Sequence, residues 1–204
     1  MLRTGWRNVG VPIILAAVLA LAACKKGEKT AVDTGMAPDT GVAAMADTSM
    51  PAAPAPALSD ANIVYILDNA NALDSAAGSI AVTKGTSSDV RDFGRTMVRD
   101  HHSLRAQGQA LAKKLNVTPE APANDTWPAT KDKTMSLLNG AAKGKDFDKA
   151  YIDNEVEYHT SVLETATTAM NAAQNAELKN LIQLAAPTIQ AHLDRAKSIQ
   201  AKMQ

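Results

Sequence analysis

Four stretches of the chain carry apolar residues every three or four positions, the spacing of a helix with one buried face. The first runs from Ser59 to Lys84, with Ile63, Leu67, Ala70, Ala77 and Ala81 in one stripe. Ser59 is placed to cap its start and Gly85 to end it. The second runs from Ser88 to Leu115, striped by Val90, Phe93, Met97, Leu104, Gly108, Leu111 and Leu115. Pro119, Pro122 and Pro128 then break the pattern, and a short helix is expected over Thr130–Leu138. The third long stretch, Asp146 to Ala173, aligns Phe147, Ile152, Val156, Leu163, Ala166 and Met170. Asn175 is placed to cap the fourth, which aligns Leu178, Leu181, Ala185, Ile189, Ala196 and Ile199. Pro187 lies inside it. Proline there removes one backbone donor, which predicts a kink and a freed Gln183 carbonyl.

Short connections join the first stretch to the second and the third to the fourth, so each pair must run antiparallel. The pattern predicts an all-α, four-helix bundle over residues 59–204, with a short extra helix in the long connection between helices two and three. The small residues Ala70, Ala77, Gly78, Gly94 and Gly108 predict close approach between helices.

No such periodicity precedes residue 59. Arg3 and Arg7 open the chain, and the apolar run from Val9 to Ala23 is shorter than the roughly 20 residues that span a bilayer. The sequence Leu21-Ala22-Ala23-Cys24 resembles the lipobox of bacterial lipoproteins. The resemblance implies a signal peptide over residues 1–23 and lipidation of Cys24, which would anchor the chain to a membrane. Lys25 in the next position implies the outer membrane, facing the periplasm. Residues 24–58, rich in Ala, Pro, Thr and Asp, read as a disordered tether.

Composition removes several function classes. The chain has 21 basic and 21 acidic residues, which excludes the strongly basic surface of a nucleic-acid binder. Its single cysteine excludes a disulfide framework or a Cys-rich metal site. No Gly-x-Ser-x-Gly, Walker loop, dinucleotide motif or His-Glu-x-x-His is present, so no catalytic residue is assigned. Tyr65, Tyr151, Tyr158 and Trp127 read as packing or surface residues.

The candidate chemistry lies on the apolar stripes themselves. The helical steps place Asp74 inward on the first helix, His101 on the second, His159 on the third and His192 on the fourth. Asp100 lies at the stripe's edge, and Glu155 one turn before His159. Counted from the turns at 1.5 Å per residue, all four inward residues fall near mid-helix, in one central layer. His102 should face outward. A buried Asp or His needs a partner. One reading is a site for a transition metal (Fe, Zn, Mn or Cu) with His101, His159, His192 and Asp74 as ligands. Asp100 and Glu155 would then be extra ligands or hydrogen-bond partners behind them. The competing reading is a His–carboxylate hydrogen-bond network that sets helix register.

Three segments strengthen the picture. Phe93-Gly94-Arg95-Thr96-Met97-Val98-Arg99-Asp100-His101 resembles the FxxxMxxDH core of a bacterial family, domain of unknown function 4142. Phe147-Asp148-Lys149-Ala150-Tyr151 with His159, and Pro187 through His192-Leu193, resemble its other two motifs. The resemblance implies a ferritin-like bundle in the bacterial envelope and no established reaction. Asp74 stands where the family commonly has Glu. Ferritin-type di-iron sites use Glu-x-x-His, and this chain has none, which argues for a mononuclear site or for none. The expected function is therefore an envelope lipoprotein that binds metal for storage, buffering or stress defence, or else a structural or protein-interaction lipoprotein.

Overall fold

The first helix starts where two short side chains serve each other's backbone. The Ser59 hydroxyl accepts from the Asn62 amide at 3.1 Å, and the Asn62 side chain accepts from the Ser59 amide at 3.1 Å. This begins α1 (Asp60–Lys84), followed by α2 (Ser88–Leu115), α3 (Trp127–Gly140), α4 (Lys145–Ala172) and α5 (Ala176–Ala201). The computed structural model describes residues 57–203. The expected signal peptide, Cys24 and all but the last two positions of the expected tether lie outside the described residues. Among the described residues, no helix is long and apolar enough to cross a membrane.

The four long helices form the antiparallel bundle, α1 packing chiefly on α2 and α4 on α5, with α3 laid against α1 and α4. Helix α3 starts earlier than the expected Thr130. Pro128 sits in its first turn, where no intrahelical N–H partner is needed, so it starts this helix where a break was expected. Helix α5 contains Pro187 in its interior, as the sequence predicts. Gly85 ends α1 with φ −60, outside the left-handed region expected of a glycine cap. Glycine is required there by space: a Cβ would lie 2.5 Å from the Ala81 carbonyl oxygen and 2.9 Å from Val90.

Each hairpin turn is held by an aspartate from the other hairpin. Asp148 of α4 accepts from the Thr86 amide (2.9 Å), the Thr86 hydroxyl (2.7 Å) and the Ser87 amide (2.8 Å) in the α1–α2 turn. Asp60 of α1 accepts from the Gln174 and Asn175 amides in the α4–α5 turn, at 2.8 and 3.1 Å. These carboxylates serve amides that the start of the next helix leaves unpaired, and they tie the two hairpins together.

The core has two apolar regions. One lies toward the α1–α2 turn, around Val90, Phe93, Met97, Phe147, Tyr151 and Ile199. The other lies toward the α4–α5 turn, around Ile63, Val64, Ala112, Ala169, Leu178 and Ile182. Between them every helix of the bundle contributes a buried polar residue: Asn71 and Asp74, His101, Glu155 and His159, and His192.

Candidate metal centre

Helical periodicity brings one imidazole each from α2, α4 and α5 to mid-bundle. The ring centroids of His101, His159 and His192 form a triangle with sides of 5.6, 5.1 and 5.5 Å. One ring nitrogen from each lies within 4.8 Å of the other two. Nitrogens sharing a tetrahedral ion at about 2.0–2.1 Å stand roughly 3.3 Å apart, so a modest closure would complete the site. His159 also belongs to a second group, in which one oxygen each of Asp74 and Glu155 comes within the same 4.8 Å.

Each ring is fixed from behind. His101 Nδ1 lies 2.9 Å from Asn71 Oδ1. His159 Nδ1 lies 3.0 Å from the Glu155 carbonyl oxygen one turn earlier. His192 Nε2 lies 3.0 Å from Asp100 Oδ2, which also accepts from Arg99 at 3.1 Å. In each pair the ring N–H donates to an oxygen, which orients the imidazole and leaves its other nitrogen without a partner in the protein. Those other nitrogens, His101 Nε2, His159 Nε2 and His192 Nδ1, are buried with no hydrogen-bond partner in the protein. A network that only fixed register would pair them, since an unpaired buried polar atom is costly.

Burial drives the pKa of His101 down to about 2, with His159 and His192 adding to the effect. Burial also opposes a proton on His159, but Asp74 and Glu155 outweigh it, and its pKa rises to about 9. Burial raises Asp74 well above the usual carboxylate range, against the pull of His159 and with the push of Glu155. His192 is lowered by burial, partly offset by its bond to Asp100. The layer therefore sets His159, whose proton is favoured, beside the carboxyl groups of Asp74 and Glu155, a place a metal cation would take when it displaces that proton.

Of the sequence-predicted residues, the structure brings His101, His159 and His192 together, and His102 is exposed. Asp74 joins the Glu155–His159 group; its Oδ2 lies 3.4 Å from His101 Nδ1, the ring nitrogen that also faces Asn71. Asp100 lies behind His192. Glu155 is fully buried with both carboxylate oxygens unpartnered, so it is as central as Asp74. Two contributors escape a sequence reading. Asn71 is a polar residue of a type common on any helix. Tyr151, expected as packing, is fully buried with an unpaired hydroxyl. Burial, then Glu155 and Asp74, hold that hydroxyl well above the usual phenol pKa. An open groove between α2 and α5, lined by Thr96, Asp100, Pro187, Thr188 and His192, reaches the layer's edge at His192.

A family model described as "Domain of unknown function (DUF4142)" matches residues 45–199. The solved structure of CopM in the Cu(II)-bound form superposes with a TM-score of 0.58 at 12% sequence identity, over 73% of this chain and 100% of that one. At that identity the likeness shows the fold alone. No curated protein matches the chain.

Proposed function

This chain belongs to the family of domain of unknown function 4142, and we propose that it is a cell-envelope lipoprotein that binds one transition-metal ion at its central histidine layer. The observation that carries the metal is the set of three bare, buried nitrogens, each on a ring whose other nitrogen is already committed to an oxygen. Imidazoles with nearby carboxylates suit Zn, Cu and Fe better than Mg or Ca. Asp74 and Glu155 would balance the ion's charge or complete its coordination. That a fold neighbour is described in a Cu(II)-bound form places copper first among the ions to try. The lipid anchor at Cys24 and the outer-membrane, periplasm-facing location rest on the lipobox and Lys25. An ion held in so buried a layer would suit a role in storage, buffering or stress defence.

The test is metal content by inductively coupled plasma mass spectrometry on the untagged chain, offered Cu, Zn, Fe and Mn in turn. A His tag would supply a false site. About one retained ion per chain is expected. It should be lost in His159→Ala, kept in His102→Ala, and should raise the unfolding temperature reversibly with chelator. Retention of no ion, with His159→Ala merely less stable, would leave the layer as a structural network.

A further inference from the structure

An opening of about 340 Å³ lies between the α1–α2 and α4–α5 hairpins, against one side of the polar layer. This is within the size range of small-molecule sites. Its walls are mostly aliphatic, including Val64, Leu67, Leu104, Leu181 and Ile189, with Asp68, Arg105, Gln109 and Lys113 also on the lining. Small residues leave the space unfilled: Ala70, Gly108, Ala166, Ala185 and Ala186 all line it, and a Cβ added at Gly108 would find nothing within 4 Å. Its inner end is polar. Asn71, Asp74 and His101 line it there, and Asp74 Oδ2 and His101 Nε2 are buried without partners. Protein interiors ordinarily close such space and pair such atoms.

The polar end has a direction. The Asn71 side-chain amide donates to the Leu67 carbonyl at 2.7 Å, which turns its Oδ1 toward His101 to accept from Nδ1–H. Nε2 of the neutral ring is then an acceptor. We infer that this cavity binds a compact, mostly apolar molecule bearing one hydroxyl, a phenol or an alcohol of similar size. The apolar body would lie against the aliphatic walls, and the hydroxyl would donate to His101 Nε2 or the Asp74 carboxylate. The inference concerns the metal-free chain, because His101 Nε2 is also one of the three nitrogens proposed to hold the ion.

The experiment is isothermal titration calorimetry of the full chain in EDTA with 4-propylphenol and its methyl ether, 4-propylanisole. The phenol should bind saturably, about one per chain. The ether, which has no hydrogen to donate, should bind about tenfold more weakly. Gly108→Leu and Ala185→Leu fill the space from opposite hairpins and should each weaken the phenol about tenfold or more while the unfolding temperature is kept. Absence of saturable phenol binding, equal affinity for the ether, or unchanged affinity in both filled variants would overturn the inference. With EDTA present, failure to hold a metal produces none of these outcomes.

Discussion

The two ends of the bundle are made from the same four helices and are packed in opposite ways. Toward the α1–α2 turn, Phe93, Phe147 and Tyr151 stack and tilt together with ring centroids 6.1–6.2 Å apart. There α1 and α2 meet backbone to backbone: a Cβ on Gly78 would lie 2.8 Å from the Gly94 carbonyl oxygen, and the reverse is equally tight. Toward the α4–α5 turn the side chains are aliphatic or small, and the cavity opens. Gly108 illustrates the difference. The sequence places it with Gly78 and Gly94 as a site of close approach, yet nothing approaches it. Large rings fill one end and small residues leave the other hollow, so rigid support and open space lie on either side of the histidine layer.

The largest test of this contrast is truncation at each end. Phe147→Ala should cost about 3–5 kcal/mol of unfolding free energy in urea, since its neighbours are locked and cannot collapse into the void. Ile182→Ala, beside space already open, should cost about 2 kcal/mol. Equal losses would mean that the ends are packed alike.

The turns sharpen the comparison next. Asp148→Ala removes three hydrogen bonds from a buried carboxylate and should destabilise by about 2–3 kcal/mol. Asp60→Ala removes two from a half-buried one and should cost about 1 kcal/mol, both read from thermal or urea unfolding.

A smaller but cleaner contrast comes from one chemical change made twice. Gly94→Ala must push α1 from α2 and should destabilise by about 1–3 kcal/mol. Gly108→Ala meets open space in mid-helix and should stabilise by about 0.5–1 kcal/mol through backbone entropy. A shared sign in circular-dichroism melts would break the distinction between the ends.

The layer between the ends should show itself in pH. His159, raised to about 9, contributes stability that is complete below the unfolded value of about 6.5 and is lost as pH rises through 9. His101, lowered to about 2, acts oppositely: its neutral form costs nothing above about 6.5, and stability falls as pH drops from there toward 2. Melting temperatures of the metal-free chain should therefore peak near neutral pH. The alkaline decline should disappear in His159→Gln, and an unchanged alkaline decline in that variant would remove His159 as its source.

Periodicity made much of this protein readable before any coordinates. A stripe every three or four residues determines which face of a helix is buried, so the bundle and the inward turn of His101, His159 and His192 could be seen in a linear sequence. The height of each along its helix followed from counting residues from the turns. One proline reading failed because proline's effect depends on its place in the helix: Pro128, expected to break the pattern, falls in a first turn, where it is tolerated. What only the tertiary structure decided were matters of distance and partnership between helices. Asn71 becomes the support of His101 only once α1 lies on α2. Glu155, read only as one turn before His159, is fully buried, and Asp148 serves a turn 61–62 residues away. The fates of Gly94 and Gly108 diverge because close approach is a property of the opposing surface. A sequence states which atoms a helix offers; which of them find partners, and which are left bare for a ligand, depends on the helix that arrives opposite.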